Sequence, residues 1–188
     1  MQNSNRVIGW ITIGGLIGFI SIVGYLQVVQ QGYDPVQQLM SELALGRHGK
    51  LMLFAFFSFA VSVFAAQIGL HQCKAPVIIR LFLVTASISL FGAGVFDLGS
   101  AAVLHIILVA ISFVLIVFVA YLLPRYVPAF KTPAHKRISW SLGAFTALSI
   151  ALGQNLIPMG IGQRGAALCI IVWLGWMGYR FMRIKSLN

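Results

Sequence analysis

The sequence predicts an all-α polytopic membrane bundle of six transmembrane helices, with the N- and C-termini cytoplasmic. Three observations predict it. The mean hydropathy of the 188 residues is +0.95, more than a soluble globule can hide beneath a polar surface. The excess lies in six apolar runs, each near the ~20 residues that carry a helix across ~30 Å of hydrocarbon. Lys and Arg divide unevenly between the two sides that those runs define.

The first run, Val7–Gln30, is too long for the apolar region of a signal peptide. It ends in Gln27, Gln30 and Gln31 without a small-x-small cleavage site, so it reads as a retained span. The first outer loop, Gly32–Lys50, predicts a short amphipathic interfacial helix over about residues 35–45. Asp34 can cap it, Pro35 takes its first position, and Gln37 completes a capping-box-like pattern. Val36, Leu39, Met40 and Leu43 then form one apolar face, and Gly46 ends the helix.

Span two is Leu51–Gln72, where Phe54, Phe56, Phe57, Phe59 and Phe64 read as lipid-facing bulk. Spans three (Val77–Phe96) and four (Ala101–Leu123) flank the tight turn Asp97-Leu98-Gly99-Ser100, which makes them antiparallel neighbours. The basic stretch Pro124–Arg137 follows, suited to lie along lipid headgroups. Span five is Ile138–Ile157, and a glycine-rich outer loop, Pro158–Arg164, leads into span six, Gly165–Phe181. Gly14, Gly18, Gly92 and Gly94 permit close helix packing. Backbone groups find no water inside lipid, and no run alternates apolar with polar as a barrel strand does. The chain reads as a single transmembrane domain, 1–188.

With the N-terminus cytoplasmic, that side receives Arg6, Lys74, Arg80, Arg125, Lys131, Lys136, Arg137, Arg180, Arg183 and Lys185. The outer side receives only Arg47, Lys50 and Arg164. The asymmetry predicts a multi-pass protein of the cytoplasmic (inner) membrane. Anionic membrane lipids then account for the net charge of +10 as partners. No basic–aromatic interleaving points to nucleic acid. A homo-oligomer or a membrane partner protein stays open.

All three carboxylates, Asp34, Glu42 and Asp97, fall on the outer side. His105 lies about one turn inside span four, Gln154 and Asn155 end span five, and Arg164 precedes span six. Glu42, Asp97, His105, Gln154, Asn155 and Arg164 can therefore surround one outward-facing polar pocket, where ionisable groups lean functional. Asp97 and His105 are the candidate catalytic pair, the acid orienting the imidazole as a general base. Arg164 can hold a phosphate or carboxylate bidentately. The competing reading is a bundle end pinned by the same groups, with Arg164 paired to Asp97 or Glu42 and His105 hydrogen-bonded to a neighbouring helix.

Ser41 as a nucleophile lacks the strand–turn–helix elbow such residues use. No cofactor is expected. His48, His71, His105 and His135 show no metal-ligand spacing, and His71 and His105 sit at opposite depths, which argues against paired haem ligation. Cys73 and Cys169 fall at opposite faces, beyond disulfide reach.

The order Tyr33-Asp34-Pro35, Ser41-Glu42-Leu43, Phe96-Asp97 with Leu104-His105, and Gly162-Gln163-Arg164 resembles the family called domain of unknown function nine-nine-eight. These are small multi-span prokaryotic membrane proteins. The likeness covers most of the chain, although Val95-Phe96 stands where that family often has a proline. It implies a bundle of about this span count with polar motifs gathered on the outer face, and no established reaction. A looser likeness to membrane hydrolases of the alkaline ceramidase and progestin-receptor group stops at their zinc site, because the late histidine pair is missing here.

Three functions follow as expectations. One is a protein that binds or moves a small polar solute or lipid headgroup. The second is a membrane-embedded enzyme on an outer-leaflet lipid or phosphate ester, using His105 and Asp97. The third is a structural or accessory membrane subunit.

Overall fold

The structure is a computed structural model that describes residues 2–184, apart from the side chains of Gln2, Gln154 and Asn155. Six long helices run in order: α1 (Gln2–Val29), α2 (Leu51–Gln72), α3 (Val77–Val95), α4 (Leu98–Tyr126), α5 (Pro133–Asn155) and α6 (Met159–Arg183). Two 3-10 turns, Met40–Leu45 and Pro128–Phe130, lie in the longer connections. No strand occurs among the described residues. Five of the helices, all but α5, are long and apolar enough to cross a bilayer. The chain is a multi-pass membrane protein.

Each helix packs on the next in sequence, and α6 returns against α1, so the six close into a ring. Chain direction alternates around it. At one end Asn5 Nδ2 donates to Ile184 O, and Gln72 Nε2 to Ser4 Oγ. At the other, Gln163 Oε1 accepts from Met40 N, and His105 meets the last carbonyls of α3. All three carboxylates sit at this second, acidic end, and the first is the basic end.

Close packing of α1 uses Gly15, where a Cβ would lie 2.5 Å from Ser58 O, whereas Gly14 faces open space. The phenylalanines of α2 divide as well. Phe54, Phe57 and Phe64 are exposed to the lipid side, but Phe56 and Phe59 are buried against the core. A helix apolar on every face gives no periodicity from which to read that split. Trp173 is 1% exposed and its Nε1 donates to Ser139 Oγ at 2.9 Å, so it is a core residue.

The expected glycine-rich loop 158–164 is instead the first turns of α6. Gly160 lies under the carbonyl oxygens of Pro35, Val36 and Gln38, and Gly162 abuts Gly153 of α5 backbone to backbone, leaving no room for a Cβ at either position. The glycines there serve contact, not chain reversal. The expected helix over 35–45 shrinks to the 3-10 turn Met40–Leu45. A longer helix would have to surrender the bonds of Gln38 O to Arg164 and of Met40 N to Gln163. Nor does that turn present its apolar face outward: Met40, Ser41 and Leu43 are buried and stopper the ring.

Candidate functional site

The long loop between α1 and α2 is held down by its polar groups. Asp34 Oδ1 accepts from Val36 N at 2.8 Å, while Gln38 Oε1, rather than the expected Gln37, accepts from Asp34 N at 2.7 Å. Glu42 caps the 3-10 turn by accepting from Leu39 N at 2.8 Å and from Gln38 Nε2 at 3.1 Å. Arg164 donates to Gln38 O at 2.9 Å, to Gly160 O at 3.0 Å and to the Tyr33 hydroxyl, with its guanidinium over the Tyr33 ring. Burial raises the Tyr33 phenol above its usual range, partly opposed by the Arg164 hydrogen bond and charge. Arg164 is therefore a strap across the loop.

Asp97 ends the α3–α4 turn. Its Oδ1 accepts from Gly99 N at 2.9 Å and Ser100 N at 2.8 Å, the orphan amides of the α4 N-terminus. Those bonds, Ser100's first, hold its carboxyl below the usual range despite some desolvation. The capped turn breaks at Ala101 (φ −154°, ψ 63°), after which α4 resumes and aims His105 back at α3.

His105 is 2% exposed. Its Nδ1 lies 2.7 Å from Ala93 O and 3.0 Å from Phe96 O, two carbonyls of the α3 C-terminus. Carbonyls only accept, so Nδ1 carries the proton and donates to both. The expected orienting carboxylate is thus replaced by backbone, because Asp97 is engaged as a helix cap. In the neutral ring Nε2 then holds the lone pair. That atom is buried and has no hydrogen-bond partner among the described residues. Phe56 packs edge-on against the ring, 5.4 Å between centroids.

His105 also borders a cavity of about 200 Å³ between α4, the loop, and the facing ends of α5 and α6. Its walls are apolar: Val109, Ala110 and Phe113 from α4, and Ile150 and Met159 opposite. Ser41, His105 and Gln163 supply the polar points. Ile106, Val114 and Met159 are exposed on the flank, so the cavity faces the side of the bundle. A much smaller void, about 20 Å³, lies at the ring centre and shares Ser41 and Gln163 with it.

Of the expected pocket residues, the structure sets His105 on this cavity and places Glu42, Asp97 and Arg164 away from it, the two acids bonded within their own turns and Arg164 reaching from α6 to the long loop. Gln154 and Asn155 follow Gly153, a cavity residue, but their side chains lie outside the described ones. Gln163 is the polar wall residue that sequence reasoning passed over. It stood inside the quoted Gly162-Gln163-Arg164 motif, and only its assignment to a loop hid it. Toward the basic end the buried hydroxyls are satisfied internally. Ser62 donates to Thr12 O, Ser87 to Ala60 O and Ser139 to Ala120 O, which leaves no polar file through the ring among the described residues. Among the described residues no His, Cys, Asp or Glu cluster could hold a metal ion.

Residues 12–180 match the family described as a protein of unknown function, DUF998. Neither the curated proteins nor the solved structures include a match to this chain.

Proposed function

Because the chain belongs to the DUF998 family, whose description carries no activity, we propose its role from geometry: it binds an amphiphile in the lateral cavity between α4, α5 and α6. A lipid headgroup meets His105, Ser41 and Gln163, and the adjoining part of the tail lies along Val109, Phe113 and Ile150. One observation carries this reading: His105, whose buried Nε2 has no partner among the described residues, lines a cavity with mostly apolar walls. An orphaned buried acceptor costs stability unless a ligand or water satisfies it. The apolar walls favour an amphiphile over a small polar solute, and the internally bonded hydroxyls argue against a transport path.

The test compares wild type with His105→Phe and Ala110→Phe, purified in mild detergent, by mass spectrometry of co-purified lipid. Both variants should keep their helicity and lose a defined bound species. An unchanged lipid complement in both would sink the proposal. The same lone pair also supports an enzyme reading, in which Nε2 takes a proton from a bound hydroxyl or water. Turnover of the identified species by wild type, abolished in His105→Gln, separates catalysis from binding.

The same proposal makes α5 a sixth span and sets the acidic end outside. Its 23 residues are long enough, it lies antiparallel to α6 across a three-residue link, and the Lys and Arg asymmetry favours a cytoplasmic basic end in the inner membrane. A single cysteine at position 34 should react with impermeant maleimide in intact cells; reaction only after lysis reverses the orientation.

A further inference from the structure

At the basic end Arg125 stands beside a feature that the lateral cavity does not involve. On the flank between α4 and α5 runs a groove of about 360 Å³. Val117, Phe118 and Tyr121 form its α4 side, and Gly143, Ala144 and Ala147 leave its α5 side hollow. Trp140 closes it toward the basic end, with its Nε1 donating to Tyr121 O at 3.1 Å. Nearly all of this surface is apolar, as lipid-facing surface should be. What distinguishes it is its mouth.

Arg125 lies one turn beyond Tyr121 on α4. Its guanidinium stacks over the Tyr121 ring at 4.1 Å, lies 5.7 Å from the Trp140 ring, and donates to the Tyr121 hydroxyl. Arg137 lies three residues before Trp140, on the same face of α5. Lys131 stands in the α4–α5 connection and Lys136 in the first turn of α5. The side-chain carboxylates all lie at the opposite end of the bundle, so none neutralises this cluster. An arginine held against aromatic rings with free donors is pre-organised for a planar, bidentate anion contact. The groove's length fits the same guest. From Arg137 to Ala147 is roughly 15 Å at the helical rise, half of a ~30 Å hydrocarbon core.

We propose that this groove is a seat for one anionic phospholipid of the leaflet at the basic end, its phosphate on Arg125 and Arg137 and an acyl chain along Ala144 and Ala147. Small residues admit the chain, aromatic residues flank it at headgroup depth, and the arginines select the charge. The site is independent of the His105 cavity, which lies at the other end of α4.

The test titrates delipidated protein in detergent with phosphatidylglycerol or phosphatidylcholine of matched chains, reading bound lipid by native mass spectrometry. Wild type should prefer phosphatidylglycerol, and each arginine replaced by alanine should weaken that preference about fivefold. Ala144→Phe should displace both lipids by filling the groove, with Ala147→Leu as a milder fill should the larger one disturb folding. Retained preference in the Arg125→Ala/Arg137→Ala double variant overturns the proposal. So does a groove-filling variant that converts a dimer to a monomer without losing lipid, since a second copy of the chain would then be the occupant.

Discussion

The two ends of the bundle handle charge in opposite ways. At the acidic end Asp34, Glu42 and Asp97 each accept backbone amides within their own turn, and Arg164 ties the long loop to α6. These four groups are internal fastenings. The basic end closes largely by apolar contact, with Phe130 packed edge-on against Trp176 and Phe181, while cations such as Arg125 project outward. The difference separates groups that hold the fold from groups free to meet something else. The unengaged chemistry is a buried imidazole nitrogen at one end and a rank of cations at the other.

The sharpest way to break this contrast is to remove one arginine from each end. Arg164→Ala should destabilise the protein by about 2–3 kcal/mol, because charge-assisted bonds to two carbonyls and a phenol vanish together. The loop over 35–45 should become sensitive to protease as its strap is lost. Arg125→Ala should shift stability by no more than about 0.5 kcal/mol, since its contacts are exposed. Melting in detergent decides it. Equal losses at both ends would dissolve the distinction between fastening and free charge.

What could be read from the sequence divides along the same physical line. Apolar runs marked the helices, five of them long and apolar enough to cross a bilayer, because the need to span hydrocarbon leaves a signal within a single segment. Asp97 and the tight turn after α3 placed α4 beside it for an equally local reason. The partners of His105 were not legible, since they are backbone carbonyls of another helix and carry no side-chain signature. Gly160 and Gly162 misled for a related reason: glycine that permits contact looks, in one dimension, like glycine that permits a turn. The expected polar pocket gathered residues by depth alone. Depth was readable, but the direction of each side chain around its helix was not, and direction sends Arg164 to the loop and His105 to the lateral cavity.

A smaller effect sharpens the account of the acidic end. Asp97→Ala removes the α4 cap and should cost about 1 kcal/mol at neutral pH. The folded carboxyl titrates below its ordinary 3.8, so the unfolded chain binds its proton first as the pH falls. The stabilisation is therefore present above that value and fades as the pH drops through the depressed folded one. Melting temperatures of wild type and Asp97→Ala should differ at pH 7 and converge in strong acid. A gap that persists undiminished below pH 3.8 would mean that the ionised cap is not what steadies this turn. His105 would then owe its aim at α3 to the break at Ala101 alone.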